Sequence, residues 1–281
     1  MFAYVILHYR TLEITKQCVE KLLKLFPESK IVVVDNFSND GSFEVLSTLY
    51  NGFENFHIIQ NNQNLGFAKG NNSGYSFVKS NYDADFVVVM NNDVFINDEN
   101  FESIISDFYS KHHFAVIGPD ILTPENKHQN PLLKESFSSF RLFKQVVIDS
   151  FRLMFLKIGL FEKKILKTYS KSSCSYKKTD FLPQIYENCV LHGSCVIFTK
   201  KWIENESFVF LPLTFLYGEE FLLADYARNK GYETGICPFA QVLHLGGKST
   251  LLDFNDKQKQ IFKTKMTIKA FLLIIKQRFI C

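Results

Sequence analysis

The sequence lacks the features that mark small zinc proteins and membrane-spanning proteins. Its six cysteines are scattered and form no C-x-x-C pair, which argues against a zinc knuckle. No apolar run reaches the roughly 18 residues that a spanning helix requires. His8 and Arg10 interrupt the first apolar segment at once, so we expect no signal peptide and a cytoplasmic protein with reduced thiols.

A strong excess of one charge is also missing. The net charge of +3 is too small to indicate a nucleic-acid partner. Hydrophobic residues make up 46% of the chain and charged residues 22%, a balance that excludes wholesale disorder. The 281 residues are enough for one large domain, or for one domain with an appended subdomain.

The most informative stretch is the apolar run 86–90 with the polar residues that follow it. Five apolar residues, three of them valine, predict a strand buried on both faces. Asn91, Asn92 and Asp93 would then lie at the carboxyl end of the strand, where α/β sheets bind their ligands. A carboxylate beside amide oxygens is a candidate ligand for a hard cation. The alternative at this point is an Asn-rich turn that only ends the strand.

More strands are predicted before that stretch, at residues 3–7, 31–34 and 57–60. Helical spacing covers residues 12–26, and a further helix is expected to begin near Gly66. Strands that alternate with helices predict a parallel sheet with right-handed crossovers. One edge of that sheet would carry a set of polar and glycine residues: His8, Asp35, Gly66, Lys69 and Asp93.

The second half of the chain shows weaker patterns. They predict a helix over 101–108, a strand over 114–117 that ends at the Gly-Pro step 118–119, and a strand over 195–198. A helix is expected from Glu219 to about residue 231, followed by a brief strand over 233–236. A glycine-rich loop that contains His244 comes after that strand.

Two basic segments leave alternatives open. Residues 152–178 hold eight Lys or Arg against one Glu, interleaved with large apolar residues. They form either a solvated element that covers a core face or an amphipathic surface that contacts acidic lipids or a phosphate-bearing acceptor. Residues 257–281 hold seven Lys or Arg and no acid. This tail either lies on the inner membrane surface or docks on the protein.

Five segments occur in a fixed order along the chain, and together they identify a family. They are VVVDN at 32–36, NLGFAKGNN at 64–72, NND at 91–93, YGEE at 217–220 and LHLGG at 243–247. The ordered set resembles the family 2 glycosyltransferases with the GT-A fold, particularly the rhamnosyltransferase-like branch. The resemblance covers about residues 3–250.

The resemblance implies an α/β protein of GT-A type, with a Rossmann-like, mostly parallel central sheet flanked by helices and a mixed acceptor-side region. Residues 1–250 would be the glycosyltransferase domain. Within it, residues 1–120 would bind the nucleotide sugar and residues 121–250 the acceptor. Residues 251–281 would form a basic amphipathic helix.

The implied activity is inverting transfer of a sugar, rhamnose or another hexose, from a nucleotide-diphospho donor. The acceptor would be a saccharide or a lipid-linked molecule in cell-surface polysaccharide synthesis, such as capsule or lipopolysaccharide. Mg²⁺ or Mn²⁺ is the expected cofactor. The protein would be cytoplasmic, with peripheral contact with the inner membrane surface.

The resemblance also implies roles for individual residues. Asp35 matches the acidic residue that meets the nucleobase or ribose. Asp93 matches the metal-binding member of a DXD-type motif, and His244 the histidine that completes the metal site. Glu220 matches the catalytic base, with Glu219 as the alternative. The other expected donor-nucleotide residues are His8, Tyr9, Asn36, Gly66, Lys69, Asn91 and Asn92.

The chemistry fits these residue types independently. A divalent cation neutralises the charge of a diphosphate leaving group as the glycosidic bond breaks. Because phosphates supply other ligands, one carboxylate and one histidine suffice on the protein side. Inversion by single displacement needs one base for the acceptor hydroxyl. Lys69 is either a phosphate ligand or a solvated lysine, and His192 either a structural residue or an acceptor contact.

Two other functions compete with glycosyl transfer. A sugar-phosphate nucleotidyltransferase would show a glycine-rich stretch with Arg or Lys directly after the first strand, where this chain has HYRT. A non-catalytic nucleotide-sugar-binding module on the same fold is the other alternative, because Asn91 replaces the aspartate that usually begins the triplet.

Overall fold

A computed structural model describes residues 1–160, 184–246 and 255–280. The described residues form one eight-stranded sheet in the order β3-β2-β1-β4-β7-β6-β8-β5, flanked by helices. The strands are β1 Phe2–His8, β2 Lys30–Asp35, β3 Phe56–Gln60, β4 Phe86–Asn91, β5 Val94–Ile96, β6 Val116–Leu122, β7 Cys195–Thr199 and β8 Thr234–His244. The helices are α1 Leu12–Leu25, α2 Ser42–Tyr50, α3 Gly66–Asn81, α4 Phe101–His112, α5 Ser139–Lys157, α6 Lys200–Ile203, α7 Glu219–Asn229 and α8 Asp256–Ile280.

The first half is the parallel sheet that the alternating pattern predicts. β1 pairs in parallel with β2 and β4, and β3 pairs in parallel with β2. Apolar side chains on both faces of these strands are buried, because helices cover the sheet on either side. The register places His8 beside Asp35, so the polar ends of neighbouring strands meet at one edge.

The second half of the sheet is mixed, and two sequence-based boundaries were wrong. β6 does not end at Gly118 and Pro119 but continues through them to Leu122. Its pairing with β8 shifts register between Pro119 and Asp120, and a proline is tolerated at such a bulge because the ladder is interrupted there. β8 is longer than expected, so His244 ends a strand instead of lying in a loop.

The C-terminal helix α8 docks on the protein. Ala270, Phe271 and Ile274 on its inner face are buried against α5 and α7. Near its end, Arg278 donates from Nε to a carboxylate oxygen of Asp225 at 2.8 Å. Of the two alternatives for this tail, contact with the protein is therefore the one observed. No helix in the described ranges has the length and apolar character needed to cross a bilayer.

The basic segment 152–178 is described only as far as residue 160. Within that part, Arg152 Nη1 donates to the buried carboxylate of Asp149 at 3.1 Å, one turn earlier in α5. The remainder of the segment lies outside the described residues.

Candidate functional site

The end of β1 is tied to the helices that follow β1 and β2. His8 is fully buried, with Nδ1 2.7 Å from the Thr15 hydroxyl and Nε2 2.8 Å from the Ser42 hydroxyl. Burial lowers the pKa of the imidazole. Because both ring nitrogens have protein partners, His8 fixes the starts of α1 and α2 relative to the sheet edge.

Asp35 and Asn36 shape the loop after β2 and the loop that leads into α3. The Asp35 carboxylate accepts from the Ser38 backbone N–H at 3.1 Å and from the Gln60 amide at 2.9 Å. The Asn36 amide group donates to the Gly66 carbonyl at 3.2 Å. The Asn36 carbonyl oxygen accepts from the Leu65 backbone N–H at 3.0 Å. These bonds hold the start of α3 beside the end of β2.

The start of α3 also touches the loop that precedes α7. The Phe67 backbone N–H donates to the Phe215 carbonyl at 2.7 Å. Gly66 adopts φ +76°, and a Cβ there would lie 2.1 Å from the same carbonyl oxygen. Lys69, in the first turn of α3, is exposed. Tyr9 is half-buried in the β1–α1 loop.

We expect Gly66→Ala to lower the free energy of unfolding by at least about 3 kcal/mol, because strain adds to a clash with fixed backbone. Gly231 is the matched control, since its φ is +73° and a Cβ there would meet nothing within 4 Å. Gly231→Ala should cost only about 1 kcal/mol. Urea unfolding measures both values. Equal losses in the two variants would show that the contact of Gly66 with Phe215 does not constrain the fold.

Asp93 and His244 meet where β5 pairs with β8. Val94 lies opposite His244 in the antiparallel ladder, and the Leu245 N–H donates to the Asp93 carbonyl at 3.0 Å. The pairing brings His244 Nε2 to 3.5 Å from Asp93 Oδ1. His244 Nδ1 lies 2.7 Å from the Gln129 carbonyl oxygen. Because that oxygen can only accept, Nδ1 carries a proton, and Nε2 is the ring nitrogen that faces Asp93.

This pair is suited to part of a metal site. No cluster of three or more His, Cys, Asp and Glu side chains that could hold a metal occurs among the described residues. One carboxylate and one oriented imidazole nevertheless fit Mn²⁺ or Mg²⁺ when a diphosphate supplies further oxygen ligands. The donor set therefore suits a cation that arrives with a nucleotide, and Asp93 and His244 are the residues that would hold it.

The other two residues of the triplet have their contacts inside the fold. The Asn92 amide is buried and donates to the hydroxyls of Thr11 at 2.6 Å and Thr15 at 2.7 Å. The Asn91 backbone N–H donates to the Ser194 carbonyl at 2.9 Å. The triplet is thus fixed to α1 on one side and to the start of β7 on the other.

Glu219 and Glu220 begin α7 but have different surroundings. Glu219 is 2% exposed, and its carboxylate accepts from the Thr214 hydroxyl at 2.8 Å. Glu220 is half-buried, and a Cβ at Gly193 would lie 3.0 Å from Glu220 Oε1. Glu219 therefore points into the protein, whereas Glu220 lies against the 192–194 turn. A side chain at position 193 would press on the Glu220 carboxylate, which would have to shift by a few tenths of an ångström.

Burial sets the protonation of both glutamates. It raises the pKa of Glu219 to about 7, with the neighbouring Glu220 charge adding to the effect. Burial also raises the pKa of Glu220, while nearby backbone N–H groups and the Lys263 ammonium oppose the rise. A carboxylate with a raised pKa is a better proton acceptor near neutral pH than an ordinary glutamate.

His192 links the Glu220 contact to the Asp93–His244 pair. Its ring centroid lies 5.6 Å from that of His244, and its Nδ1 lies 2.9 Å from the Ser194 hydroxyl. Burial, and next the His244 charge, lower the pKa of His192 to about 3, so the ring is neutral. Asp93, His244 and Glu220 are thereby connected through His192 and Gly193.

The family model for glycosyl transferase family 2 matches residues 4–203. The chain belongs to glycosyl transferase family 2. This confirms the family that the ordered segments indicated. The family 2 match contains Asp35 and Asp93 but ends before Glu219, Glu220 and His244, whose positions rest on the geometry described above.

Relatives of this family 2 chain include the low-salt glycan biosynthesis hexosyltransferase Agl10 of Haloferax volcanii, which is 24% identical over 245 residues. That match covers 85% of the chain and 66% of Agl10. The structure of S. aureus TarS 1–349 in complex with UDP is similar, with a TM-score of 0.51, 14% identity, and 97% and 65% of the two chains covered. The structure of GalNAc-T7 with UDP, GalNAc and Mn²⁺ is also similar, with a TM-score of 0.57 and 12% identity. The match covers 94% of this chain and 47% of GalNAc-T7. These similarities confirm the GT-A-like fold.

Sequence patterns did not indicate several residues of the candidate site. Gln129 orients His244, Thr214 binds Glu219, and Gly193 makes room for Glu220. Lys263 extends from α8 to within 5.4 Å of the Tyr217 ring centroid, close to the first turn of α7. Apart from the contact between Thr214 and Glu219, which are five residues apart, these contacts join distant parts of the chain, so no local spacing could have revealed them.

Glu219→Gln should stabilise this family 2 protein above pH 7 by on the order of 2 kcal/mol. The folded-state pKa of Glu219, about 7, exceeds the ordinary value of 4.5, so wild-type stability is lost as pH rises through 7. Glutamine keeps an oxygen for the Thr214 hydroxyl but has no charge to bury. Urea unfolding at pH 5 and pH 8 tests this, with similar stabilities expected at pH 5. A variant that is no more stable than the wild type at pH 8 would contradict the assignment.

Proposed function

We propose that this chain is a hexosyltransferase that moves a sugar from a nucleotide-diphospho donor to an acceptor hydroxyl, with inversion and with Mg²⁺ or Mn²⁺. The observation that carries the proposal is the Asp93–His244 pair, linked through His192 to Glu220. Family 2 membership and the likeness to Agl10, named a hexosyltransferase, support it. So do the UDP complexes of TarS and GalNAc-T7, the second of which contains Mn²⁺.

The donor nucleotide would bind across the ends of β1 and β2. Asp35 contacts the ribose or base through the lone pairs that its bonds to Ser38 and Gln60 leave free, with Tyr9 beside it. Lys69, in the first turn of α3, approaches the diphosphate, because a helix N-terminus favours anions. Gly66 positions that turn, since its N–H binds the Asn64 side chain and its Cα lies against the Phe215 carbonyl. A second group positions these residues instead of touching the donor, since its side-chain nitrogens already bind the protein: His8, Asn36 and Asn92. Asn91 contacts the donor nucleotide through its half-buried side chain.

Glu220 acts as the base in this proposal. It takes the proton of the acceptor hydroxyl while the acceptor oxygen forms a bond to the anomeric carbon of the sugar. The bond from that carbon to the diphosphate breaks, and its electron pair leaves with the nucleoside diphosphate. A cation held by Asp93 and His244 would neutralise the leaving group. Glu219 is the weaker candidate because it is buried against Thr214.

The donor sugar is rhamnose or another hexose, and the acceptor a saccharide or a lipid-linked molecule of a cell-surface polysaccharide such as capsule or lipopolysaccharide. Residues 1–120 would form the nucleotide-sugar half and residues 121–250 the acceptor half. The enzyme would work in the cytoplasm, in peripheral contact with the inner membrane surface.

A thermal-shift screen of nucleotide sugars, with and without Mn²⁺, tests this function. A preferred donor at about a hundred times its Kd should raise the Tm by roughly 5–10 °C, only with the metal. The same donor should be slowly hydrolysed to its nucleoside diphosphate, and chelation should stop hydrolysis. Stabilisation without hydrolysis or transfer would indicate a binding module instead. Release of pyrophosphate from a nucleoside triphosphate and a sugar phosphate would indicate a nucleotidyltransferase.

A further inference from the structure

Helix α5 has a large apolar face that is exposed to solvent. Its inner side packs on the protein through Leu142, Val146 and Leu156. On the opposite side, apolar residues recur at intervals of three or four, which places them in one stripe along the helix. The stripe consists of Phe140, Phe143, Val147, Phe151, Met154 and Ile158, all exposed.

The exposed side of α8 adds a second, more basic stripe. It consists of Lys265, Lys269, Leu272, Lys276 and Phe279. The two helices pack together, and Arg278 Nη1 donates to the Phe137 carbonyl at 2.9 Å, next to the start of α5. Phe140 and Phe279, each 79% exposed, lie close in sequence to that contact. We call the two stripes together the amphipathic face.

The charges on the amphipathic face have one sign. The exposed charged side chains of α5 are Arg141, Lys144 and Lys157. The acid of α5, Asp149, is buried and bound by Gln145 and Arg152. In α8 the acid is Asp256, at the end far in sequence from Phe279.

We propose that the amphipathic face docks on a bilayer that contains anionic lipids. Phenylalanines interleaved with lysines along a helix are typical of segments that lie in the membrane interface, where the rings enter the acyl boundary and the cations meet acidic head groups. Protein partners fit less well, because lysine is depleted in protein interfaces while it is frequent here.

The face is connected to the proposed catalytic centre through α8. A Cβ at Gly218 would lie 2.5 Å from the Ala270 Cβ, so the inner side of α8 packs directly on the residue before α7. Phe262 of α8 contacts the rings of Phe215 and Tyr217. The helix that docks on lipid therefore also holds the loop next to Glu220. This inference rests on the proposed function in one respect: docking would bring a lipid-linked acceptor close to that loop.

Vesicle sedimentation tests the docking. The full chain should bind vesicles of phosphatidylcholine and phosphatidylglycerol in equal parts, bind pure phosphatidylcholine weakly, and be released by high salt. The variant Phe143→Ser with Phe151→Ser should lose at least about tenfold in partitioning, because two rings no longer enter the interface. Phe239→Ser is the matched control, since Phe239 is 66% exposed but lies on β8.

Three results would overturn the proposal. The first is that the chain does not bind the anionic vesicles. The second is that Phe239→Ser lowers vesicle partitioning as much as the double variant does. The third is a concentration-dependent dimer that the double variant abolishes and the control retains. The dimer would assign the face to contact between copies of the chain. Hydrolysis of a water-soluble donor should be the same in wild type, double variant and control. That assay therefore separates a failure of docking from a failure of the proposed transferase activity.

Discussion

Asp93→Ala is expected to lower sugar transfer by about a thousandfold or more, because the diphosphate would lose the cation that neutralises its charge as it leaves. The fold should remain, since the contact of residue 93 with the Leu245 N–H is made by the backbone carbonyl. Initial rates with a soluble acceptor, measured across a range of Mn²⁺ concentrations, give the loss. Circular dichroism and the Tm report whether the fold is intact.

Asp83→Ala is the matched control for that variant. Asp83 lies just before β4, whereas Asp93 lies just after it. The Asp83 side chain is 96% exposed, and its Oδ1 is 4.0 Å from Lys200 Nζ. Its loss should change neither rate nor metal dependence. Substantial transfer by Asp93→Ala, or an equal loss in the control, would remove Asp93 from the metal site.

Glu220→Gln is expected to keep donor binding while kcat falls by about 10²–10⁴-fold, the usual contribution of a general base. Glutamine has nearly the same shape, so the contact with Gly193 should persist. Because the pKa of Glu220 is raised by burial, wild-type kcat/KM should climb with pH through a range above that of an ordinary glutamate. The variant should lack this rise. Steady-state kinetics and a donor titration measure the two effects.

Glu219→Gln provides the comparison within the same turn of helix. Its side chain is bound to Thr214 inside the protein, so turnover should stay within a few fold of the wild type while stability changes with pH as described above. If Glu219→Gln instead loses turnover and Glu220→Gln does not, the base has been assigned to the wrong glutamate.

The sequence was sufficient for the elements whose signal is local. β1, β2 and β4 were predicted nearly to the residue, because unbroken apolar runs with polar ends are typical of strands buried on both faces. The three-residue β5 was missed, because so short a strand has no periodicity and exists only through its pairing with β8. The continuation of β6 past Pro119 likewise depends on a bulge against β8, which no local pattern records.

The same distinction holds for the site. Asp93 and His244 were expected to lie together because the family resemblance assigns both to the metal site. The β5–β8 pairing brings His244 Nε2 to 3.5 Å from Asp93 Oδ1. Partners such as Gln129 and Lys263 were not expected, since they come from segments without a motif. The docking of α8 was left open because its deciding contact, from Arg278 to Asp225, joins residues that are 53 positions apart.

The proposed mechanism requires a metal–diphosphate centre held by Asp93 and His244, with Glu220 next to this centre but not a ligand of the metal. Electron paramagnetic resonance of Mn²⁺, in the presence of the nucleoside diphosphate of the preferred donor, tests this directly. We predict tight binding by the wild type and by Glu220→Gln, and at least about tenfold weaker binding by Asp93→Ala and by His244→Ala. Unchanged Mn²⁺ binding in both of those variants would contradict the account.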